Sequence, residues 1–268
     1  MVLRSRARPV APYLGGKRNL ARRICSMIDS APHSTYAEPF VGMGGVFLRR
    51  QSRPRAEFIN DRSRDVYNLF RMLQEHYVAF LDVMRFQITT QAGFERLAAV
   101  EPETLTDLQR AARFLYLQRC AFGGKPSGRN FGVSIDRPGR FNITTLEPDL
   151  EALHERLAGV TVMNLDWREF IDRLDREGTL FYLDPPYWGC EDDYGKGIFG
   201  RDQFAELAAR LAALKGSFIL SLNDLPEVRE TFAGFRTERV ETTYGVSRSP
   251  TAKGEVRGEL LIIGGGSG

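Results

Sequence analysis

The chain has 268 residues, 43% of them hydrophobic and 26% charged, with a formal net charge of +3. That is long enough for a full core, and the charge permits a polyanionic partner without demanding one. No apolar run approaches the roughly 20 residues a membrane helix needs, and the basic start has no apolar stretch behind it, so no membrane or signal segment is expected. Three scattered cysteines (Cys25, Cys120, Cys190) and three scattered histidines (His33, His76, His154) argue against a disulfide framework and against a metal site, and fit a reduced cytoplasm.

In chain order, Tyr13-Leu14-Gly15-Gly16-Lys17 reads as a tight glycine turn feeding a helix to about Ser30, with Leu20, Ile24, Met27 and Ile28 on one face. Thr35 to Glu38 is a short strand stopped by Pro39. Phe40-Val41-Gly42-Met43-Gly44-Gly45 then turns the chain into a helix carrying Val46, Phe47 and Leu48. Glu57 to Asn60 is a second strand, ending at Asp61. This is the order of a nucleotide-binding βαβ unit.

The alternation then stops. From Ser63 to about Arg119 the apolar spacing predicts successive helices, marked by Leu69, Phe70 and Leu73, by Phe80, Leu81 and Met84, and by Ala112, Leu115 and Tyr116. Gly123 to Gly139 is rich in glycine and basic residues, with Phe122, Phe131 and Phe141 interleaved. It reads as an exposed hairpin or loop. A helix from about Leu146 to Ala158 closes the insertion. Strands and helices alternate again after it: Val160–Leu165, Trp167–Leu174, Leu180–Asp184, Phe204–Leu214, Phe218–Leu222, then a closing pair at Arg236–Thr243 and Glu259–Ile263. The tail from Gly264 to Gly268 reads as disordered or as an expression remnant. The expected fold is α/β: a Rossmann-like sheet split between 1–62 and 159–268, with a mostly helical lobe, 63–158, inserted and carrying a hairpin.

Asp184-Pro185-Pro186-Tyr187 follows the apolar strand Thr179-Leu180-Phe181-Tyr182-Leu183. Two prolines remove two N–H donors and leave their carbonyls as acceptors. A carboxylate, acceptor carbonyls and an aromatic face at the C-terminal end of a strand make a cup for a planar heterocycle with an exocyclic amino group. A turn that merely stops the strand is the plainer reading. Near the N-terminus, Gly42 and Gly44 let the backbone approach a ligand, and Asp61, nineteen positions after Gly42, is placed to accept hydrogen bonds from ribose hydroxyls. Phe47 stands where the third glycine of a dinucleotide fingerprint would be. The site therefore suits a nucleoside without a pyrophosphate, S-adenosylmethionine rather than NAD.

Gly15-Gly16-Lys17, Phe40-Val41-Gly42-Met43-Gly44 and Asp184-Pro185-Pro186-Tyr187, in that order, resemble the motifs of the Dam-like DNA adenine-N6 methyltransferases. The arrangement is similar to that of their alpha group, and the likeness runs from Ala11 to Ile263. The resemblance implies methyl transfer from S-adenosylmethionine to N6 of a flipped-out adenine in double-stranded DNA, without a metal. It implies that Tyr13 and Lys17 contact the donor, that Glu38, Pro39 and Phe40 line its pocket with Gly42 and Gly44, and that Asp61 binds its ribose. Asp166 falls where a polar residue near the donor's adenine is expected. Asp184, Pro185, Pro186 and Tyr187 match the catalytic motif, with Asp184 also facing the donor.

Arg119 to Lys125 resembles the Asn-Arg-x-x-Phe-Asn-Gly stretch that opens the family's DNA-binding hairpin, with Gln118 and Gly123 in place of the two asparagines. Arg119, Phe122, Lys125, Arg129, Arg137 and Arg140 are the expected DNA-binding residues, the arginines on phosphates and the phenylalanine as a wedge. Packing of the hairpin onto its own helices is the alternative for its phenylalanines, and Tyr194 is a candidate to close over the base. Methylation of cytosine N4 or of an RNA base, or a non-catalytic DNA-binding role, are the rival functions. The expected state is a monomer or weak dimer in the cytoplasm of a bacterial or phage-infected cell, in a restriction-modification or prophage setting.

Overall fold

Strand order is what positions everything else. In the computed structural model, which describes residues 7–13, 17, 19–124, 129–132, 136, 138–191, 199–244 and 255–265, a seven-stranded sheet has the order β3-β2-β1-β4-β5-β7-β6. The strands are β1 (Thr35–Glu38), β2 (Ala56–Asn60), β3 (Val160–Met163), β4 (Thr179–Leu183), β5 (Ser217–Asn223), β6 (Arg236–Tyr244) and β7 (Glu255–Gly265). The first five run parallel, and β7 lies antiparallel between β5 and β6. Sequence order reverses between β1 and β4, the crevice where open α/β sheets take ligands.

β4 explains why the sheet needs two covering layers. All five of its residues are buried. Leu180 and Tyr182 face one core and Phe181 and Leu183 the other, as period-two alternation requires. The second core is closed by α7 (Trp167–Leu174), α8 (Gln203–Ala212) and α9 (Pro226–Thr231). The first is closed by α1 (Ala21–Ser30) and by helices of the β2–β3 connection, namely α2 (Arg64–Glu75), α3 (Tyr77–Met84), α4 (Gln91–Ala99), α5 (Asp107–Cys120) and α6 (Ile143–Leu157). Leu69, Leu73, Leu150 and Leu157 share that core with Tyr36 and Ile59 of the sheet. Glu57 on β2 adds a buried polar tie, accepting from Arg50 at 2.9 Å and from Arg156 of α6 at 2.8 and 2.7 Å.

Between α5 and α6 the chain forms the base of the expected hairpin. Ala121 bridges Phe131 antiparallel, Phe122 N donates to Asn130 O at 2.9 Å, and Gly132 N donates to Cys120 O at 2.8 Å.

Three expectations need correction. The helix expected at Val46–Leu48 is a single 3-10 turn, Phe47–Arg49, because all three apolar side chains are buried and Arg50 returns to extended backbone. The glycine tail is partly sheet: Gly264 and Gly265 pair with Phe218 and Ser217. A Cβ on Gly265 would lie 2.1 Å from the Gly216 carbonyl oxygen, so this edge requires glycine; 266–268 lie outside the described residues. Finally, α9 was not expected; it starts on Pro226, whose fixed φ and missing N–H suit a first helical position.

Candidate active site

β1 delivers Glu38 to the crevice, buried, with its carboxylate accepting from Tyr36 Oη at 2.5 Å. Burial, together with the nearby Asp184, pushes Glu38 up to about 8. Beyond Pro39 the chain turns at Gly42, whose φ is +51. A Cβ there would come within 3.1 Å of the Tyr13 ring, so the turn is glycine for both conformation and space. Asp61 fixes this turn from the end of β2. It accepts from Gly42 N at 2.9 Å and from Ser63 N at 2.8 Å, yet burial still raises it to about 6. Asn60 joins three strand ends, donating to the carbonyls of Pro39 and Leu165 at 3.0 and 3.1 Å and accepting from Leu165 N at 2.8 Å.

β4 delivers Asp184 to the same crevice. Lys17 Nζ stands 2.9 Å from Asp184 Oδ1, donates to Tyr187 Oη, and lies 3.6 Å from Glu259 Oε2 on β7. Burial raises Asp184 to about 6, and Lys17 opposes that rise. Ser221 on β5 donates to Asp184 at 3.2 Å and bonds Tyr182 Oη at 3.0 Å. Asn223, two residues on, clasps the backbone of Trp188 in both senses, at 3.1 and 2.9 Å. Thus β5 holds both the carboxylate and the loop behind it.

These groups surround one cavity of about 670 Å³. Of the expected cofactor and catalytic residues, Tyr13, Lys17, Glu38, Phe40, Gly42, Asp61, Asp184 and Pro186 line it. Pro39, Gly44, Pro185 and Tyr187 do not, although Tyr187 reaches it through Lys17 and Pro39 through Asn60. Asp166 is not brought there. It caps α7, accepting from Arg168 N at 3.0 Å, and pairs with the Arg168 side chain. Gly15, Gly16 and Tyr194 lie outside the described residues.

Three of the expected DNA-binding arginines bond to their own chain. Arg119 donates to Val10 O at 2.5 Å, Arg129 to Gln118 Oε1 at 3.3 Å, and Arg140 to Ala121 O at 2.7 Å. Phe131 and Phe141 pack into the core, while Phe122 is 66% exposed at the hairpin base. Lys125 and Arg137 lie outside the described residues.

Sequence reading missed Asn60, Ser221, Asn223 and Glu259. The available signal was polarity in the wrong place: Ser221 and Asn223 end the apolar run Phe218-Ile219-Leu220, and Glu259 opens Leu260-Leu261-Ile262.

The chain matches the family model of the D12 class N6 adenine-specific DNA methyltransferases over residues 13–246. It belongs to that family. Among its relatives, Type II methyltransferase M.CviBI of Paramecium bursaria Chlorella virus NC1A is 22% identical, covering 88% of this chain and 91% of the relative. Type II methyltransferase M1.LlaDCHI of Lactococcus lactis subsp. cremoris is 24% identical over 96% and 94%. The DNA N-6-adenine-methyltransferase of Escherichia phage P1 is 29% identical over 94% of this chain, which spans about a third (34%) of that longer protein. Among the described residues of this DNA methyltransferase, no helix is long and apolar enough to cross a membrane.

Proposed function

We propose that this member of the family uses S-adenosylmethionine to methylate N6 of an adenine extruded from double-stranded DNA. The observation that carries the reading is the meeting of Asp184 and Lys17, 2.9 Å apart, in one cavity with Gly42 and Asp61. The donor fits the residues present. Asp184 and Glu259 set two carboxylates beside the ammonium of Lys17, Glu38 lines the same cavity, and Gly42 leaves the backbone open to close approach. A cationic ligand would offset the burial, and with it the Asp184 charge, that raise Glu38. When bound, S-adenosylmethionine supplies a methyl group carried on a sulfonium.

The chain's own part is to hold the base. An adenine inside a duplex is unreachable, so it must leave the stack at a cost of a few kcal/mol. Its ring then stacks on Tyr187, and its amino hydrogens are accepted by Asp184 and the Pro185 carbonyl. Both contacts raise electron density on N6 and aim its lone pair. Lys17 occupies the Asp184 oxygen and the Tyr187 hydroxyl in the structure described, so the base must displace it, with Glu259 as the carboxylate it retains. Asp184 accepts the proton that N6 loses. Catalysis is positioning plus electrostatics.

In this reading 63–158 is the target-recognition lobe, 1–62 and 159–268 form the catalytic body, and Phe122 meets DNA at the hairpin. The enzyme acts as a monomer or weak dimer in the cytoplasm. Incubating duplex DNA with methyl-labelled S-adenosylmethionine and analysing the nucleosides by mass spectrometry tests the proposal. Labelled N6-methyldeoxyadenosine is expected. N4-methyldeoxycytidine, methylation confined to RNA, or no methylated base despite donor binding would each overturn it.

A further inference from the structure

The segment that carries Tyr13 is strapped to the helical insert. Arg8 Nε donates to Asp149 of α6 at 2.8 Å. Val10 O accepts from Arg119 at 2.5 Å, and Pro12 O accepts from Gln118 Nε2 at 2.8 Å, both on α5. Gln118 is fully buried. Its other end, Oε1, accepts from Arg129 Nε at 3.3 Å, and Arg129 belongs to the returning arm of the hairpin, next to Asn130 and Phe131. One carboxamide therefore joins the hairpin to the Pro12 carbonyl. The next residue, Tyr13, lies over the Gly42 turn.

We propose that Gln118 is a positioning residue that couples DNA engagement by the hairpin to closure of the Tyr13 segment over the methyl donor. The proposal rests on the reading of the cleft as donor site and the hairpin as DNA element. A carboxamide can do this because it donates and accepts at opposite atoms, and because a buried one is costly to leave half-satisfied. If DNA draws Arg129 or the hairpin arm into a new position, the Gln118 side chain must follow it or lose a bond. Pro12 and Tyr13 feel either outcome. Linkage then requires that DNA and donor each change the affinity of the other by the same factor.

The test uses the full chain, S-adenosylhomocysteine as a non-reacting stand-in for the donor, and sheared plasmid DNA at saturation. Affinity for S-adenosylhomocysteine is measured by calorimetry with and without DNA. In the parent, DNA should tighten it several-fold. Gln118→Leu should weaken it about tenfold without DNA, the worth of one buried hydrogen bond, and abolish the DNA effect. Arg129→Met cuts only the hairpin end. It should change the DNA-free affinity less than Gln118→Leu does and still lose the DNA effect, and it decides the matter alone if Gln118→Leu fails to fold. The proposal is overturned if Arg129→Met keeps the parental DNA effect, if Gln118→Leu binds like the parent, or if the parent binds both ligands independently. A parent that binds no S-adenosylhomocysteine, or no DNA, instead removes the reading beneath it.

Discussion

Around Asp184 the polar atoms are committed to one another: Lys17, Ser221, Tyr182 and Tyr187 form a connected set drawn from β4 and the turn after it, β5 and the N-terminal segment, and Asn223 holds the Trp188 backbone behind it. At the hairpin the arrangement is different. Phe122 stands 66% exposed, and the arginines beside it satisfy carbonyls and a carboxamide of their own chain. In the proposed reading the cleft exchanges one internal partner, Lys17, while Ser221 still holds Asp184, whereas at the hairpin each of these arginines must exchange an internal partner for an external one. The contrast teaches that preorganisation is concentrated where charge must be controlled, and that recognition is left adjustable.

Breaking the preorganised side should have the largest effect. Asp184→Ala removes the acceptor for the base and should lower turnover by about a thousandfold or more while leaving DNA affinity near the parental value. Steady-state kinetics beside a DNA-binding isotherm checks this; near-normal turnover would take Asp184 out of the mechanism. Next in size is a stability effect behind the cleft. Glu57→Ala leaves the guanidiniums of Arg50 and Arg156 buried without their shared carboxylate, which should cost about 3–5 kcal/mol in denaturant unfolding. A loss below 1 kcal/mol would mean that water already serves these groups.

The recognition side should respond more gently, and in binding instead of turnover. Phe122→Ala should weaken DNA binding by about 1–3 kcal/mol if the ring stacks on or wedges between bases, with donor affinity unchanged. Unaltered DNA affinity would place the ring off the duplex. Ser221→Ala sharpens the contrast from within the cleft. Loss of one hydrogen bond to Asp184 should cost about 1 kcal/mol in kcat, several-fold, with little change in thermal midpoint.

The smallest effect is on pH dependence. Glu38 at about 8, and Asp61 and Asp184 at about 6, are all raised by burial. The folded state therefore holds protons that the unfolded state has already lost, so stability falls as pH rises from the ordinary carboxylate range toward 8. The ligand-free thermal midpoint should drop by a few degrees between pH 6 and pH 8, and Glu38→Gln should flatten the upper part of that slope. A midpoint that rises over the window would reverse the sign assigned to these groups. Turnover runs the other way, since Asp184 must be ionised to accept the amino hydrogens, and it should rise with pH through about 6.

What was legible in the sequence follows the same division. Asp184, Tyr187, Gly42 and Asp61 could be read because each sits in a short local pattern whose backbone consequences are fixed by proline, glycine or a strand end. The sheet could be read because its strands are short apolar runs at regular spacing. Ser221, Asn223 and Glu259 could not, because their partners lie far away in the chain; Ser221 and Asp184 are separated by 37 positions. Arg119, Arg129 and Arg140 were counted as free charge because sequence carries no sign of which carbonyls a guanidinium will meet. Asp166 was expected near the donor's adenine by resemblance; sequence did not show that the same carboxylate caps α7.

The central claim is that Asp184 and the Tyr187 ring receive a single extruded base beside the Gly42–Asp61 turn. A crystal structure of the full chain with S-adenosylhomocysteine and a methylatable duplex tests it most directly. The account predicts an adenine out of the helix, its N6 within hydrogen-bond distance of Asp184 and the Pro185 carbonyl, and Lys17 moved off Asp184. An adenine that remains paired with the duplex seated on the enzyme, or an extruded base whose amino group points away from Asp184, would contradict it.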